Sequence, residues 1–267
     1  LPAYKEFARI DFRSPVAHFK LGVAYSQVNK SRDAIRSFQE AVRWNKEFPE
    51  AHYNMGWLFQ ELGEPDEALA QYQQVVFLDP ENLDAYFHMG EIHEFFSRYS
   101  DAISSFKEVI AIDPESVKGH ARLGWNYAKL DQPEKALSEF EEALLIDPNL
   151  AETYYKLGIT YGELGRFEEG LESLNKAREL NPSHFDTILQ LGKFNSILGN
   201  YQEAAENLNK LLKIAPDSNE EGLLFGKSLV ELNQFDRALP HLEKAVKHDP
   251  SSFEAQFYLG ITLIRLK

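Results

Sequence analysis

The chain has 267 residues, with 28 Lys plus Arg against 42 Asp plus Glu and a formal net charge of -14. Its 43% apolar share, with 13% aromatics, is enough to bury a core, so folding is expected rather than disorder. The acidic balance argues against bulk nucleic-acid binding or attraction to an anionic membrane surface, leaving room only for a local basic patch, and the lack of Cys excludes disulfides, thiolate zinc sites and cysteine nucleophiles.

The first element, residues 1–14, reads as the tail of a second helix belonging to a preceding repeat. Tyr4 aligns with Phe38, Glu6 with Glu40 and Asp11 with Asn45. From there a glycine recurs every 34 residues without insertion, at 22, 56, 90, 124, 158, 192, 226 and 260. An apolar residue precedes each one. Twelve residues after the glycine stands a small residue, namely Ala34, Ala68, Ala102, Ala136, Gly170, Ala204 or Ala238. Four further on come Phe38, Tyr72, Phe106, Phe140, Leu174, Leu208 and Leu242. Apolar spacings of three and four predict two amphipathic helices per unit and no strand.

Between the two helices lie Leu62-Gly63, Leu130-Asp131, Leu164-Gly165, Leu198-Gly199 and Leu232-Asn233, whose Gly, Asn or Asp tolerates a positive φ. Pro65 and Pro133 suit the first turn of the second helix. That helix is expected to stop before Pro80, Pro114, Pro148, Pro182, Pro216 and Pro250, because proline disfavours helical geometry in the residue before it. The first repeat departs, with Lys46 where the closing proline belongs. The seventh departs more, with Gly222 and Leu229 in place of larger residues or Tyr. Its Pro240 falls inside the second helix, where it is expected to kink the helix at a cost of about 3 kcal/mol or more unless packing compensates.

The pattern resembles the tetratricopeptide repeat and covers nearly the whole chain. The resemblance implies an all-α, right-handed superhelical solenoid of tandem 34-residue helix-turn-helix units. Seven complete units span 15–252, starting at 15, 49, 83, 117, 151, 185 and 219, and 253–267 supply the first helix of an eighth. The chain is expected to be a single solenoid domain and a piece of a longer polypeptide, because it opens and closes within a repeat. Ile261, Leu263, Ile264 and Leu266 would lie on an open end, which points to self-association through the solenoid ends. No apolar run approaches the roughly 20 residues of a membrane helix, and no signal peptide is visible. A soluble chain is expected, with a cytoplasmic location favoured.

Motifs of enzymes are absent: there is no phosphate loop, zincin helix or nucleophile elbow, so no catalytic activity and no cofactor are expected. His88 and Glu91, three residues apart, share a helical face that could hold a metal, but His93 stands in the column of Tyr25, Phe59, Tyr127 and Tyr161 and is expected in the core. A packed His93 and a groove-facing His88 are therefore expected, with no metal. His18, His52 and His120 share one column, for which packing is the better account.

In the resembled family, the second, fifth, ninth and twelfth or thirteenth positions of each first helix line a concave groove. That rule places Phe19, Glu50, Tyr53, Trp57, Asp84, Phe87, Glu91, Lys118, Trp125 and Tyr155 on the groove, with Asn54, His88, Arg122 and Lys156 beside them. The resemblance implies a non-catalytic scaffold that holds an extended peptide or short helix of another protein there. Rings would supply affinity, Trp57 and Trp125 above all, unless they pack within the stack. A ligand would place basic residues against the second and third repeats and an acid against Lys118 and Arg122. Two alternatives come from other classes. One is the substrate-selecting arm of an O-linked glycosyltransferase, whose asparagine ladder is matched here by Asn54 alone. The other is a carboxylate-clamp co-chaperone receptor, matched by Lys118 and Arg122 while Tyr53, Trp57 and His88 replace the remaining three clamp residues.

Overall fold

The structure, a computed structural model, describes residues 1–214 and 219–267; Pro216, expected to close the sixth repeat, lies outside them. The described residues form sixteen α-helices and no strand. After α1 (Pro2–Ile10), the first helices of successive pairs are α2 (Pro15–Ser26), α4 (Pro49–Glu61), α6 (Leu83–Phe95), α8 (Val117–Lys129), α10 (Ala151–Glu163), α12 (Phe185–Ile197), α14 (Asn219–Glu231) and α16 (Phe253–Arg265). The second helices are α3 (Ser31–Trp44), α5 (Pro65–Leu78), α7 (Tyr99–Ile112), α9 (Pro133–Ile146), α11 (Phe167–Leu180), α13 (Tyr201–Ile214) and α15 (Phe235–His248). This is an all-α repeat solenoid. No described helix is long and apolar enough to cross a membrane.

Local chemistry ends each helix. Every first helix from α2 to α14 is followed by a residue of positive φ: Asn29, Gly63, Ser97, Asp131, Gly165, Gly199 and Asn233. The next amide reaches back over the end, as Lys30 to the Tyr25 carbonyl at 3.0 Å and Glu64 to that of Phe59 at 2.9 Å, the pattern of a Schellman cap. Ser97 adopts this geometry at φ 56 although Ser is seldom found there. Second helices stop on Asp79, Asp113, Asp147, Asn181 and Asp249 with φ between -135 and -127, the extended geometry a following proline requires. Asn45 takes the same conformation without a proline, and its Oδ1 accepts from the Glu47 amide at 3.2 Å. Side-chain caps at Ser14, Asn82, Ser116 and Ser252 each accept an amide of the following first helix.

The recurring glycine is a contact site. An atom at the Cβ position of Gly22 would lie 2.6 Å from the Phe38 ring, and at Gly90 it would lie 2.7 Å from that of Phe106, so only glycine lets first and second helices close up. The seventh pair contains Pro240, yet α15 runs unbroken over the same 14 residues as its counterparts. Pro240 and Asp236 are both exposed, so the carbonyl that loses its helical partner is open to solvent.

The chain divides into two compact units, Leu1–Leu130 and Asp131–Lys267. In the N-terminal unit the core runs from Ala34 and Phe38 through Met55, Leu58 and Tyr72 to Ile92. In the C-terminal unit, Leu208, Leu211, Phe225, Leu229 and Leu242 form one cluster, and Leu174, Leu191 and Phe194 another. Phe194 is an oversized ring in a column that elsewhere holds Ala24, Leu58, Ile92, Asn126, Thr160, Ser228 or Thr262. Two glycines make room for it: a Cβ at Gly162 would lie 2.2 Å from its ring, and one at Gly170 would lie 2.6 Å away.

Candidate functional site

In the N-terminal unit, first helices α4, α6 and α8 are joined by a continuous polar chain. His88 lies with its ring stacked on buried Tyr72, at 5.4 Å and 19°. Its Nδ1 is 3.2 Å from Glu91 Oε2, so Nδ1–H donates to the carboxylate, and its Nε2 lies within hydrogen-bond distance of the Tyr53 hydroxyl, also at 3.2 Å. Arg122 then donates to Glu91 Oε1 at 3.3 Å and to Glu94 Oε1 at 2.9 Å. Asn126, fully buried, donates to Glu94 Oε2 at 3.3 Å and to the Arg122 carbonyl at 2.8 Å, while its own Oδ1 lacks a partner. The His88 hydrogen bond holds the Glu91 carboxyl below its ordinary value of 4.5, aided by the Arg122 charge and opposed by burial. Burial, with Asp84 adding to it, pushes the Tyr53 phenol up.

Where these helices end, a cleft of about 630 Å³ opens. Gln60, Glu91, Glu94, Phe95, Arg122, Trp125 and Lys129 of the three first helices line it, with Phe96, Tyr99 and Pro65 at the turns. Phe95 is 81% exposed and Phe96 42% exposed, their rings meeting edge to face at 5.1 Å. The Lys129 ammonium lies 4.2 Å above the Trp125 ring. The cleft thus offers apolar rings and one ammonium at its mouth, with its two carboxylates already engaged by Arg122.

The residues read from sequence fall into distinct settings. Trp57 is 40% exposed on α4, and Trp125 is half-buried in the cleft wall. Phe19 packs on Phe38 and Phe48, Phe87 on Phe106, and Tyr53 on Tyr72, so these half-buried rings serve the stack at least in part. Glu50, Asp84 and Lys118 are exposed. Asn54 donates to the Glu50 carbonyl of its own helix at 2.7 Å. Arg122 departs from the reading that it faces a ligand acid, because Glu91 and Glu94 already hold its guanidinium. His88 is half-buried in the polar chain rather than open to a groove.

His93 is half-buried, with Nδ1 unbonded and burial pushing its pKa below 6.5. His52 pairs with Gln71 at 2.8 Å, whereas His18 and His120 each reach the carbonyl six residues earlier, of Phe12 and Pro114. Among the described residues, no group of three or more His, Asp or Glu could hold a metal ion. Phe96 and Tyr99 went unnoticed in the sequence because they lie past the end of α6, outside the first-helix positions. Two adjacent aromatics, Phe95-Phe96, at a turn were the available signal.

Tyr155 and Lys156 belong to the C-terminal unit. Tyr155 meets His184 edge to face at 4.9 Å, and burial pushes its phenol up to about 12, with Asp186 and Glu152 contributing. Lys156 pairs with Glu152 at 3.6 Å. Further along, Lys193 pairs with Glu220 at 2.6 Å and Lys227 with Glu254 at 2.7 Å, one ion pair per repeat between successive first helices.

Models of the tetratricopeptide repeat match residues 16–48 and 185–218, 53–117 and 223–267, and 151–184, and a model described as TPR repeat matches 126–165. No curated protein matches the chain. Among solved structures, YrrB, described as a TPR protein with an unusual peptide-binding site, is similar at 20% identity and a TM-score of 0.64, over 70% of this chain and 96% of its own. A tetratricopeptide repeat protein from Parabacteroides merdae is similar at 15% identity and a TM-score of 0.63, over 98% of this chain and 100% of its own. Residues 41 to the end of MamA from Desulfovibrio magneticus RS-1 are similar at 23% identity and a TM-score of 0.59, over 64% and 96%.

Proposed function

The chain belongs to the tetratricopeptide repeat family, and we propose that it is a non-catalytic scaffold that holds an extended segment of another protein on the first-helix face of its N-terminal unit. The observation that carries this reading is the cleft of about 630 Å³ at the ends of α4, α6 and α8, with Phe95, Phe96, Tyr99 and Trp125 in its walls. Burying ligand side chains against these rings supplies the affinity, at roughly 25 cal/mol per Å² of apolar area removed from water. The polar chain from Tyr53 to Asn126 holds the three helices in register before any ligand arrives, which lowers the ordering cost of binding. Exposed Glu50 and Asp84 suit basic ligand residues, and Lys118 and Lys129 suit an acidic one, mainly by steering approach. The peptide-binding site in the description of YrrB supports a peptide as the ligand type.

Selection of a random peptide library against the whole chain, followed by titration of the enriched peptides, tests the proposal. Trp125→Ala and Phe95→Ala are expected to weaken the selected peptides by about tenfold or more, the loss typical of a buried aromatic anchor. Undiminished affinity in both variants, with the helical content intact by circular dichroism, overturns the proposal.

A further inference from the structure

Charge is concentrated at one place of opposite sign to the rest of the molecule. Residues 1–48 carry nine Lys and Arg against five Asp and Glu, whereas residues 49–116 carry two against fourteen. Within the basic segment, Phe12 in the turn after α1 and Trp44 at the end of α3 meet edge to face at 6.2 Å and 79°. They are 57% and 38% exposed. The Arg13 guanidinium lies 5.3 Å from the Phe12 ring and 5.6 Å from that of Trp44, and the Arg43 guanidinium lies 5.7 Å from Trp44. Among the described residues Arg13 has no carboxylate partner, and exposed Arg43 reaches half-buried Glu40 only at 3.4 Å. Lys46, also exposed, follows two residues after Trp44.

From this cluster we infer a second docking surface, separate from the cleft, that takes an acidic peptide segment carrying an aromatic or aliphatic side chain. The inference rests on charge and geometry together. Cations stacked on rings are already placed, so an incoming carboxylate meets fixed donors rather than mobile side chains. Arginine offers a planar fork that pairs with a carboxylate through two parallel hydrogen bonds, and the open ring faces receive the neighbouring apolar side chain. Nucleic acid fits less well. The two rings stand nearly perpendicular and cannot stack successive bases, and the acidic 49–116 segment next in the chain repels a long phosphate backbone more than a short acidic peptide.

A fluorescently labelled random copolymer of Glu and Tyr serves as the probe, with polyglutamate and an oligothymidylate as comparisons, titrated against the whole chain at physiological salt. The copolymer is expected to bind more tightly than polyglutamate, and the double variant Arg13→Glu plus Arg43→Glu to weaken it by about tenfold or more. Lys210→Glu, an exposed site in the C-terminal unit, reverses one charge as a control and is expected to leave binding unchanged. Trp44→Ala should remove the preference for the copolymer over polyglutamate. Because Arg13 and Arg43 are exposed, their replacement should leave the helical spectrum intact. Copolymer binding that is absent, or reduced equally by Lys210→Glu, overturns the inference. Oligothymidylate binding more tightly than the copolymer and lost in the double variant also overturns it, in favour of a nucleic-acid surface.

Discussion

The two units use one set of packing columns to carry two different faces. In the N-terminal unit, Gly22, Gly56 and Gly90 receive the rings of Phe38, Tyr72 and Phe106, while in the C-terminal unit Gly158, Gly192 and Gly226 receive Leu174, Leu208 and Leu242. On the first-helix face the contrast is larger. The N-terminal unit ties α4, α6 and α8 together with a branched polar chain through His88, Glu91, Arg122 and Glu94. The C-terminal unit repeats a single Lys–Glu pair from one first helix to the next. Backbone geometry and helix ends therefore depend on a few columns, and the face between them is free to vary. The aromatic cleft at the ends of α4, α6 and α8 is such a variation.

The largest effect that would break this symmetry of scaffold lies in the C-terminal unit. Gly162→Ala drives a methyl into the buried Phe194 ring and is expected to destabilise the chain by about 3 kcal/mol, the upper end for overpacking a core. Phe194→Leu in the same chain should recover most of that loss, as measured by urea unfolding. No recovery would mean that the strain lies elsewhere.

The two polar faces should respond unequally to removal of a cation. Arg122→Met leaves the half-buried Glu94 carboxylate with Asn126 alone, so about 1 to 2 kcal/mol of stability is expected to go, given that Arg122 itself is partly exposed. Lys227→Met breaks one partly exposed pair and should cost under about 0.5 kcal/mol. Equal losses in thermal or urea unfolding would contradict the distinction between a network and a ladder.

Acid sensitivity offers a third contrast. Burial lowers the folded pKa of His93 in one unit and of His241 in the other, so each prefers to stay neutral in the fold. Stability is then expected to fall as the pH drops below 6.5 toward the folded values, because protonation favours the unfolded chain. His93→Phe fills an aromatic column and removes a buried unbonded nitrogen, which should stabilise the chain by about 1 kcal/mol and reduce the slope of stability against pH in that range. An unchanged slope would place the titration on other groups. At the alkaline end Tyr155, with its phenol held up at about 12, should contribute stability that is complete below 10 and lost as the pH rises toward 12, and Tyr155→Phe should remove that contribution.

The smallest effect concerns a helix end. Ser97→Gly relieves the positive φ that Ser97 alone among the seven turns meets with neither Gly, Asn nor Asp, at the loss of its contact with the Tyr99 hydroxyl. A gain of roughly 0.5 kcal/mol is expected, against no gain for Asn29→Gly, because Asn tolerates this region well.

Helix ends were legible in the sequence wherever a residue type carries its own backbone constraint, as Gly63 and Asp79-Pro80 do. Ser97 carries none, so its conformation follows only from its place in the column. The recurring glycine likewise announced the period, but that Gly170 and Gly162 jointly accommodate Phe194 depends on three residues from three helices. The polar chain stayed hidden for a related reason. Its pairs, Tyr53 with His88 and Glu91 with Arg122, stand 35 and 31 residues apart, close to one repeat, so complementary types at corresponding places in neighbouring first helices were the signal. Reading each helix separately put Arg122 on a ligand when it was already held by two carboxylates.

Hydrogen–deuterium exchange of the whole chain, with and without a selected peptide at saturation, tests most directly whether the variable face of the N-terminal unit is the one that binds. The account predicts added protection at the ends of α6 and α8 and in the turn at Phe96, with α12 and α14 unchanged. Protection confined to α12 and α14, with the N-terminal helices unaffected, would contradict it.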